Sequence, residues 1–339
     1  MASERYSRQI CFHHIGKEGQ EKLLASTVVI VGMGALGCTS ANELVRAGIG
    51  HLRFIDRDLV ELSNLQRQIL YTEEDAAEAV PKVFAAAEHL KKANSEVELE
   101  PVFDDLTGAN ASSLLAGADL IVDATDNLET RYLINEYCVE NHVPWIYGGA
   151  IGSEGMTAPF LPGGPCFSCF TGHSHSPGQN LGMTCSTVGV LNSLTALIAS
   201  LQVTEAIKIL TGADSVRKDV LYVELWDNEF FPISFDKNPD CPICGHHHYQ
   251  YLGRASGVQA ISVCGKNAWQ IIPAASGRPD FAVLEKKLSL LGKVTMKTYY
   301  LDFVSTEASF KLFRDGRAII SNVDTEGQAK SIYSEYIGS

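Results

Sequence analysis

The chain has 339 residues, 45% of them hydrophobic and 20% charged, which is the balance of an ordinary globular protein of about two domains. This composition excludes intrinsic disorder, collagen and a small disulfide-stapled scaffold. The net charge of −13 argues against sequence-independent binding of nucleic acid, because such binding uses Lys and Arg to neutralise phosphates.

The chain shows neither a secretory signal nor a clear membrane span. Its N-terminus, MASERYSRQI, is charged from the start and lacks an apolar core. The apolar stretch 187–210 is interrupted by Gln202, Glu205 and Lys208, which predicts a buried or interface helix. Nine cysteines without an export signal indicate thiols or metal ligands. We therefore expect a cytoplasmic protein with no membrane and no nucleic-acid partner.

Short apolar runs alternate with helix-forming segments through the first half of the chain. Strands are predicted at 27–31, 51–56, 97–103, 118–125 and 143–148, with helices at 38–48 and 81–93. Such alternation is typical of βαβ units. It predicts an α/β fold with a doubly wound, mostly parallel, Rossmann-like sheet.

The pattern changes after residue 150. The sequence predicts a strand at 155–161, an exposed, mobile loop over 162–185, a long helix over 187–211, a strand at 220–226 and a loop over 236–253. Beyond it, strands at 258–263, 298–304, 308–314 and 317–322 and helices at 281–291 and 324–336 predict a small α+β module. We expect a large domain, 1–252, and a smaller module, 253–339.

A glycine motif, GMGALG, joins the first predicted strand to a helix. Gly32, Gly34 and Gly37 allow a tight turn and a close approach of the backbone to phosphates. Asp56 ends the second predicted strand, where a carboxylate can hold ribose hydroxyls. The motif alone fits an NAD-dependent oxidoreductase or a tight turn without a ligand.

Three charged residues favour transfer chemistry over hydride transfer. Arg67, Lys82 and Asp126 follow strand ends of one predicted sheet, the edge at which doubly wound folds bind ligands. Cations stabilise charge that develops on phosphate oxygens, and a carboxylate can hold Mg²⁺. Phosphoryl or nucleotidyl transfer needs such a set, whereas hydride transfer does not.

Several motifs together resemble the ubiquitin-activating-enzyme-like superfamily and, within it, the ThiF/MoeB-type adenylyltransferases, bacterial ThiF most of all. The resemblance covers residues 1–250, and the extension after 253 resembles that of longer ThiF proteins. The matching pieces are RYSRQI (5–10), GMGALG (32–37), DRDLVELSNLQRQ (56–68), the helix that begins at Lys82, DATDN (123–127) and TCSTVGV (184–190).

The resemblance implies a role for each matching residue. It assigns the motif glycines and Asp56 to ATP, and Asn64, Arg67 and Lys82 to its triphosphate. It assigns Asp126 to Mg²⁺. It also implies that Arg8 reaches the active site of the other subunit of a homodimer.

The implied reaction is the ATP-dependent adenylation of a ubiquitin-like sulfur-carrier protein (ThiS-like) at its C-terminal Gly-Gly carboxylate, with release of pyrophosphate. This step would prepare the carrier for sulfur transfer in thiamine (thiazole) biosynthesis, with a cysteine desulfurase as a further partner. The alternatives are MoeB-like activation of a molybdopterin carrier, or activation of a carrier or peptide of a specialised pathway. Other classes are an NAD-dependent oxidoreductase and a non-catalytic zinc-stabilised binding module.

Two cysteine pairs predict a structural zinc site. Cys166 and Cys169 form one C-x-x-C pair, and Cys241 and Cys244 form the other. Thiolates at this spacing can complete a tetrahedral Zn²⁺ site, which would join two distant loops in the C-terminal half of the large domain. Four ordinary thiols or a redox pair are the alternatives.

Cys185 is the one cysteine predicted to act chemically. It precedes the helix predicted over 187–211, whose N-terminus could lower the thiol pKa and favour the thiolate. A thiolate can attack an acyl-adenylate or form a persulfide. In ThiF-like proteins a cysteine at this place takes part in sulfur transfer, whereas the alternative is an inert loop thiol.

Overall fold

A computed structural model describes residues 4–172, 188–253, 259–262, 267–273 and 279–338. The chain divides into two compact units, residues 1–254 and 255–339. Each unit has its own sheet and its own hydrophobic core.

The first unit is built on one sheet of eight strands with helices around it. Strands β1 to β8 are Thr27–Val31, His51–Ile55, Glu98–Val102, Leu120–Asp123, Trp145–Ile151, Glu154–Phe160, Val220–Glu224 and Glu229–Ile233. Helices α1 to α9 are Ser7–Ile10, Gly16–Ala25, Ala35–Ala47, Glu73–Ala77, Lys82–Ala93, Ala111–Leu114, Leu128–Asn141, Phe167–Thr171 and Asn192–Thr211. A 3₁₀ turn spans Leu62–Asn64.

The strand order is β3-β2-β1-β4-β5-β6-β7-β8. Pairing is parallel from β3 to β5 and antiparallel from β5 to β8. The chain runs outward from β1 to β3 and then crosses back to β4, so the order reverses between β1 and β4. At such a point the carboxyl ends of neighbouring strands open a crevice for ligands. The predicted doubly wound, Rossmann-like fold is confirmed.

Helix α9 crosses the sheet and holds two strands together. It is long and apolar enough to cross a membrane by length and composition alone, but 44% of its apolar window is buried inside the protein. Gln202, fully buried on this helix, donates from Nε2 to the carbonyl of Asp123 at 2.7 Å and to that of Ile146 at 3.2 Å. The helix therefore packs as a core helix, as its interrupted sequence predicts.

The long helix begins later than predicted. Its first residue is Asn192, not 187, because the preceding segment pairs with Gly152 instead of coiling. The Gly152 N–H donates to the Gly189 carbonyl at 2.9 Å, and the Leu191 N–H donates to the Gly152 carbonyl at 2.8 Å. Cys185, which the sequence places before this helix, lies outside the described residues, so its position relative to the helix stays a prediction.

The loop predicted over 162–185 is also not exposed throughout. Helix α8 lies within it, and Cys166 and Phe167 are buried. The Phe167 ring contacts those of Tyr132, Trp145 and Phe160, with centroids 5.3, 5.8 and 5.9 Å away. Burial of these aromatic rings outweighs the polar and glycine-rich local composition.

The second unit is a six-stranded antiparallel sheet with two helices. Its strands β9 to β14 are Gln259–Ser262, Ala268–Ile272, Lys293–Met296, Tyr300–Val304, Ser309–Phe313 and Ala318–Ser321, in the order β11-β12-β13-β14-β10-β9. Helices α10 and α11 are Phe281–Leu288 and Glu326–Tyr336. The α+β composition agrees with the sequence prediction, although β10 and β11 were not predicted.

Candidate functional site

The glycine motif forms a tight loop between β1 and α3. Gly32 has φ +95°, and a Cβ on it would lie 2.5 Å from the Ala124 carbonyl oxygen. A Cβ on Gly37 would lie 2.0 Å from the Gly32 carbonyl oxygen. Side chains at both positions are therefore excluded by the backbone. Among the described non-neighbouring atoms, only Gln68 Nε2 comes within 4 Å of a Cβ placed on Gly34, at 3.9 Å. Helix α3 begins at the next residue, and its first-turn N–H groups, which lack partners within the helix, suit a phosphate.

Asp56 fixes this loop from the end of β2. Its Oδ2 accepts a hydrogen bond from the Met33 N–H at 2.7 Å, and its Oδ1 accepts one from the Asp58 N–H at 2.7 Å. Burial raises the pKa of the Asp56 carboxyl above its usual value. Asp56, the residue predicted to bind ribose, thus lies against the glycine loop.

Lys82 is the buried cation of the site. It is the first residue of α5, its side chain is 7% exposed, and its Nζ lies 2.8 Å from Asp58 Oδ2. Burial alone would lower the Lys82 pKa, but the carboxylates of Asp58, Asp56 and Asp126 raise it above its usual value. Lys82 therefore carries its positive charge at neutral pH, in the field of three carboxyl groups.

Asp126 lies just past β4 and is exposed. Its charge acts on Lys82 and on Arg57, whose Nη1 lies 2.8 Å from Asp105 Oδ2. The structure thus brings Asp126, Lys82, Asp56 and the glycine loop to the carboxyl edge of β1, β2 and β4. A carboxylate, an ammonium and a helix N-terminus together suit a nucleotide phosphate with a divalent cation.

Three further predicted residues occupy the N-terminal part of the unit and the segment after β2. The Asn64 Oδ1 accepts a hydrogen bond from the Glu61 N–H at 3.1 Å, which closes the 3₁₀ turn. The Arg67 Nη1 donates to the Ser63 carbonyl at 3.2 Å. Arg8 is exposed on α1 and makes no ion pair or side-chain hydrogen bond with the part of the chain that the structure describes.

A buried ion pair beneath the site was not predicted. Asp123, fully buried at the end of β4, accepts from Arg131 Nε at 3.1 Å. Arg131 Nη2 also donates to the carbonyls of Thr125 at 2.6 Å and Gly148 at 3.1 Å. Arg131, on α7, thus joins the end of β4 to the middle of β5. The sequence feature that could have revealed the pair is an arginine five residues after Asp126. Spacing alone, however, does not tell whether such an arginine pairs with a buried carboxylate or contacts a ligand.

The four paired cysteines form one cluster. Their sulfur atoms all lie within 4.8 Å of one another. Cys166 and Cys169 are 4.0 Å apart, and contacts of 3.7 Å (Cys166 to Cys241) and 3.5 Å (Cys169 to Cys244) join the two pairs. In a tetrahedral site with Zn–S bonds of about 2.3 Å the sulfurs would be roughly 3.8 Å apart. The four thiols therefore fit one tetrahedral metal ion.

Backbone hydrogen bonds shape both cysteine pairs. The Cys169 N–H donates to the Cys166 carbonyl at 2.9 Å, and the Gly245 and His246 N–H groups donate to the Cys241 carbonyl at 2.9 and 3.0 Å. Asn135 Oδ1 accepts from the Phe167 N–H at 2.9 Å and so ties α8 to α7. The loops that carry the cysteines are thus held in place by the domain core.

Cys185 lies outside the described residues. Within the described part of the chain, the four clustered cysteines form the only group of three or more His, Cys, Asp or Glu side chains close enough to hold one ion.

Comparison with known proteins gives one family. The model of the ThiF family matches residues 6–243. The Bacillus subtilis protein named sulfur carrier protein ThiS adenylyltransferase is 39% identical over 98% of this chain and 99% of its own length. The Escherichia coli molybdopterin-synthase adenylyltransferase is 39% identical over 71% of this chain and 96% of its own. A Thermus thermophilus sulfur carrier protein adenylyltransferase is 38% identical over 71% of this chain and 90% of its own length.

Solved structures agree on the fold. Escherichia coli MccB, solved with ATP, covers 72% of this chain with a TM-score of 0.61 and 23% identity, and the alignment covers 75% of MccB. At this identity the likeness shows the fold alone.

Proposed function

The chain belongs to the ThiF family, and from that premise we propose that it adenylates the C-terminal Gly-Gly carboxylate of a ThiS-like sulfur carrier for thiamine biosynthesis. The observation that carries the proposal is the likeness to the Bacillus subtilis ThiS adenylyltransferase, which spans both units. The molybdopterin and Thermus relatives match 71% of the chain. The smaller unit therefore favours the thiamine-type activity.

ATP binds at the carboxyl edge of β1, β2 and β4. Its phosphates lie over Gly32, Gly34 and Gly37, and its ribose contacts Asp56. Asn64, Arg67 and Lys82 contact the triphosphate. Two observations support this assignment. The Lys82 ammonium is buried and charged, and no described backbone atom outside the loop lies within 4 Å of a Cβ placed on Gly34.

The reaction requires charge stabilisation rather than a general base. The carrier carboxylate is ionised at neutral pH and attacks the α-phosphorus of ATP. The bond between the α-phosphorus and the bridging oxygen breaks, and pyrophosphate leaves with that electron pair. Lys82 and Arg67 stabilise the negative charge that develops on the phosphate oxygens. The products are an acyl-adenylate and pyrophosphate.

Two metals accompany this activity. Asp126 holds Mg²⁺, which would neutralise phosphate charge when bound. Cys166, Cys169, Cys241 and Cys244 hold a structural Zn²⁺, as their sulfur spacing supports. Four reduced thiolates also fit a cytoplasmic location.

The active protein is a homodimer in which Arg8 reaches the partner's nucleotide site. The exposed side chain of Arg8, without a partner in the described part of its own chain, fits this role. After adenylation, the Cys185 thiolate takes the outer sulfur of a cysteine persulfide on a desulfurase, whose own thiol is regenerated. The resulting Cys185 persulfide attacks the acyl-adenylate and releases AMP, which leaves the carrier joined to Cys185 as an acyl disulfide.

The test is ATP–pyrophosphate exchange by the purified protein with a ThiS-type carrier and a MoaD-type carrier in parallel. We expect exchange with the ThiS-type carrier and none with a matched carrier that lacks the terminal Gly-Gly. Exchange with the MoaD-type carrier alone would replace the thiamine assignment with a molybdopterin one. Reduction of NAD⁺ without any exchange would contradict adenylation altogether.

Cys185→Ser separates the two chemical steps. It should leave the exchange intact and abolish formation of the carrier thiocarboxylate, measured by intact-protein mass spectrometry. Loss of exchange in this variant would refute the division between adenylation and sulfur transfer.

A further inference from the structure

Gln68 is a buried glutamine beside the glycine loop. It follows Arg67, it is 4% exposed, and its backbone N–H donates to the Asn64 carbonyl at 2.9 Å. Its Nε2 lies 3.9 Å from the position that a Cβ on Gly34 would take. It is the only described non-neighbouring atom within 4 Å of that position. The amide nitrogen therefore borders the open space above the loop.

The side-chain amide of Gln68 has unused hydrogen-bonding capacity. Its Oε1 is buried and has no hydrogen-bond partner in the described part of the chain. The Nε2 also donates to none of the described residues. Buried polar groups are nearly always hydrogen-bonded, so a free amide donor at a ligand site indicates an acceptor outside the protein chain. The buried Oε1 needs a donor such as a water molecule, and a phosphate would not satisfy it.

The loop opposite Gln68 is held rigidly. Tyr71 OH donates to the Met33 carbonyl at 2.8 Å, and Asp56 accepts from the Met33 N–H at 2.7 Å. Met33 is thus fixed through both of its backbone polar groups. The Tyr71 N–H also donates to the Gln68 carbonyl at 3.2 Å, so the backbone that carries Gln68 is connected to the residue that holds Met33.

We propose that Gln68 is a substrate-binding residue, whose Nε2 donates a hydrogen bond to a phosphate oxygen of ATP over Gly34. This inference rests on the proposed function, because it places the nucleotide in that space. An amide nitrogen offers two donors, and phosphate oxygens are acceptors. Gln68 would add a neutral donor opposite the N–H groups of α3.

The deciding variant is Gln68→Met, which keeps the length and removes both polar atoms. ATP binding is measured directly by calorimetry in the presence of Mg²⁺, and thermal unfolding is measured without nucleotide. We expect at least a tenfold loss of ATP affinity. The unfolding temperature should not fall, because the variant removes an unsatisfied buried oxygen. Gln68→Glu should bind ATP more weakly still, because its carboxylate repels phosphate.

Gln66→Met is the matched control, since Gln66 is exposed two residues earlier and should bind ATP as the wild type does. ATP binding by Gln68→Met within twofold of the wild type would overturn the inference. A fall in its unfolding temperature with unchanged ATP affinity would assign Gln68 a packing role instead.

The readout needs no carrier, so the two proposals can fail separately. The wild type could bind ATP and yet show no pyrophosphate exchange with either carrier. In that case the proposed function fails, while ATP binding by the variants still tests Gln68. If the wild type does not bind ATP, both are overturned.

Discussion

Lys82 Nζ lies 2.8 Å from Asp58 Oδ2, and the backbone N–H of Lys82 donates to the carbonyl of Asp58 at 2.9 Å. The two residues are 24 positions apart. A bridge between Leu59 and Pro81 brings them together, so α5 begins beside the end of β2. The lysine is thereby buried at the carboxyl edge of the sheet, with its ammonium against the Asp58 carboxylate.

Lys82→Met should lower kcat/KM for pyrophosphate exchange by about 10²–10³-fold, because it removes the charge that we propose stabilises the transition state. Lys92→Met is the matched control on the same helix, since Lys92 is exposed and pairs only with Glu88 at 2.8 Å. It should change the rate less than twofold. An exchange rate near wild type in Lys82→Met would remove this lysine from the reaction.

Subunit mixing tests the position of Arg8. Arg8→Ala and Lys82→Met should each be inactive alone. Random mixed dimers should recover roughly one quarter of wild-type exchange, because half of the dimers are mixed and each has one intact site. Dimer formation is checked by light scattering. The absence of recovery in verified mixed dimers would mean that Arg8 acts within its own subunit or not at all.

Metal removal tests the cysteine cluster. The purified protein should contain one zinc per chain by atomic emission, and Cys241→Ser should lose it. Each kcal/mol of lost stability should lower the Tm by about 2–4 °C for a domain of this size. Cys11→Ser, at an exposed cysteine outside the cluster, should keep both zinc and Tm. Full zinc content in Cys241→Ser would contradict the four-thiolate site.

Arg131→Met should destabilise the first unit by about 3–5 kcal/mol, because it leaves the buried Asp123 carboxylate without a cation. Urea unfolding measures the loss. Arg217→Met is the control, since the Arg217–Asp219 pair is about one-third exposed and should contribute about 0–1 kcal/mol. Equal losses of unfolding free energy in the two variants would show that burial does not make the Asp123–Arg131 pair more important for stability than an exposed pair.

The Asp75 carboxylate should make stability depend on pH in the acid range. Burial opposes its ionisation, but hydrogen bonds from His89 at 2.9 Å and Thr72 at 2.8 Å lower its pKa. Its stabilisation is therefore complete above its unfolded pKa of about 4 and is lost as the pH falls through the lower folded value.

Asp75→Asn tests this dependence. The variant should lose about 0.5–2 kcal/mol at pH 7, the usual cost of a lost helix cap. The difference from the wild type should be smaller at pH 3 than at pH 7, because the stabilisation is lost as the pH falls below the unfolded pKa of about 4. Urea unfolding at both pH values measures it. A difference that stays constant between them would contradict the lowered pKa.

The parallel half of the sheet and the nucleotide motif could be predicted because their signals are local. An apolar run followed by GMGALG and a helix, with Asp56 after the next strand, fixes a βαβ unit through periodicity and glycine conformation alone. The spacing of Cys166 and Cys169, and of Cys241 and Cys244, is likewise a local signal for a metal ligand pair.

Other features depended on residues far apart in the chain. Burial of Phe167 among aromatic rings made a helix where composition predicted an exposed loop, and pairing with Gly152 delayed the long helix to Asn192. Short-range patterns do not contain these contacts, because the free energy that decides them comes from packing and from hydrogen bonds across the fold.

By itself, the sequence determined the fold class, the family resemblance and the residues that are candidates for binding or catalysis, since these follow from residue type and spacing. Only the tertiary structure decided which charges meet. It buried Lys82 against Asp58, paired Arg131 with Asp123, brought four sulfurs within 4.8 Å of one another and left the Gln68 Oε1 buried without a partner in the described part of the chain. Electrostatic and hydrogen-bond energies depend on distance and burial, and both are set by the packed chain.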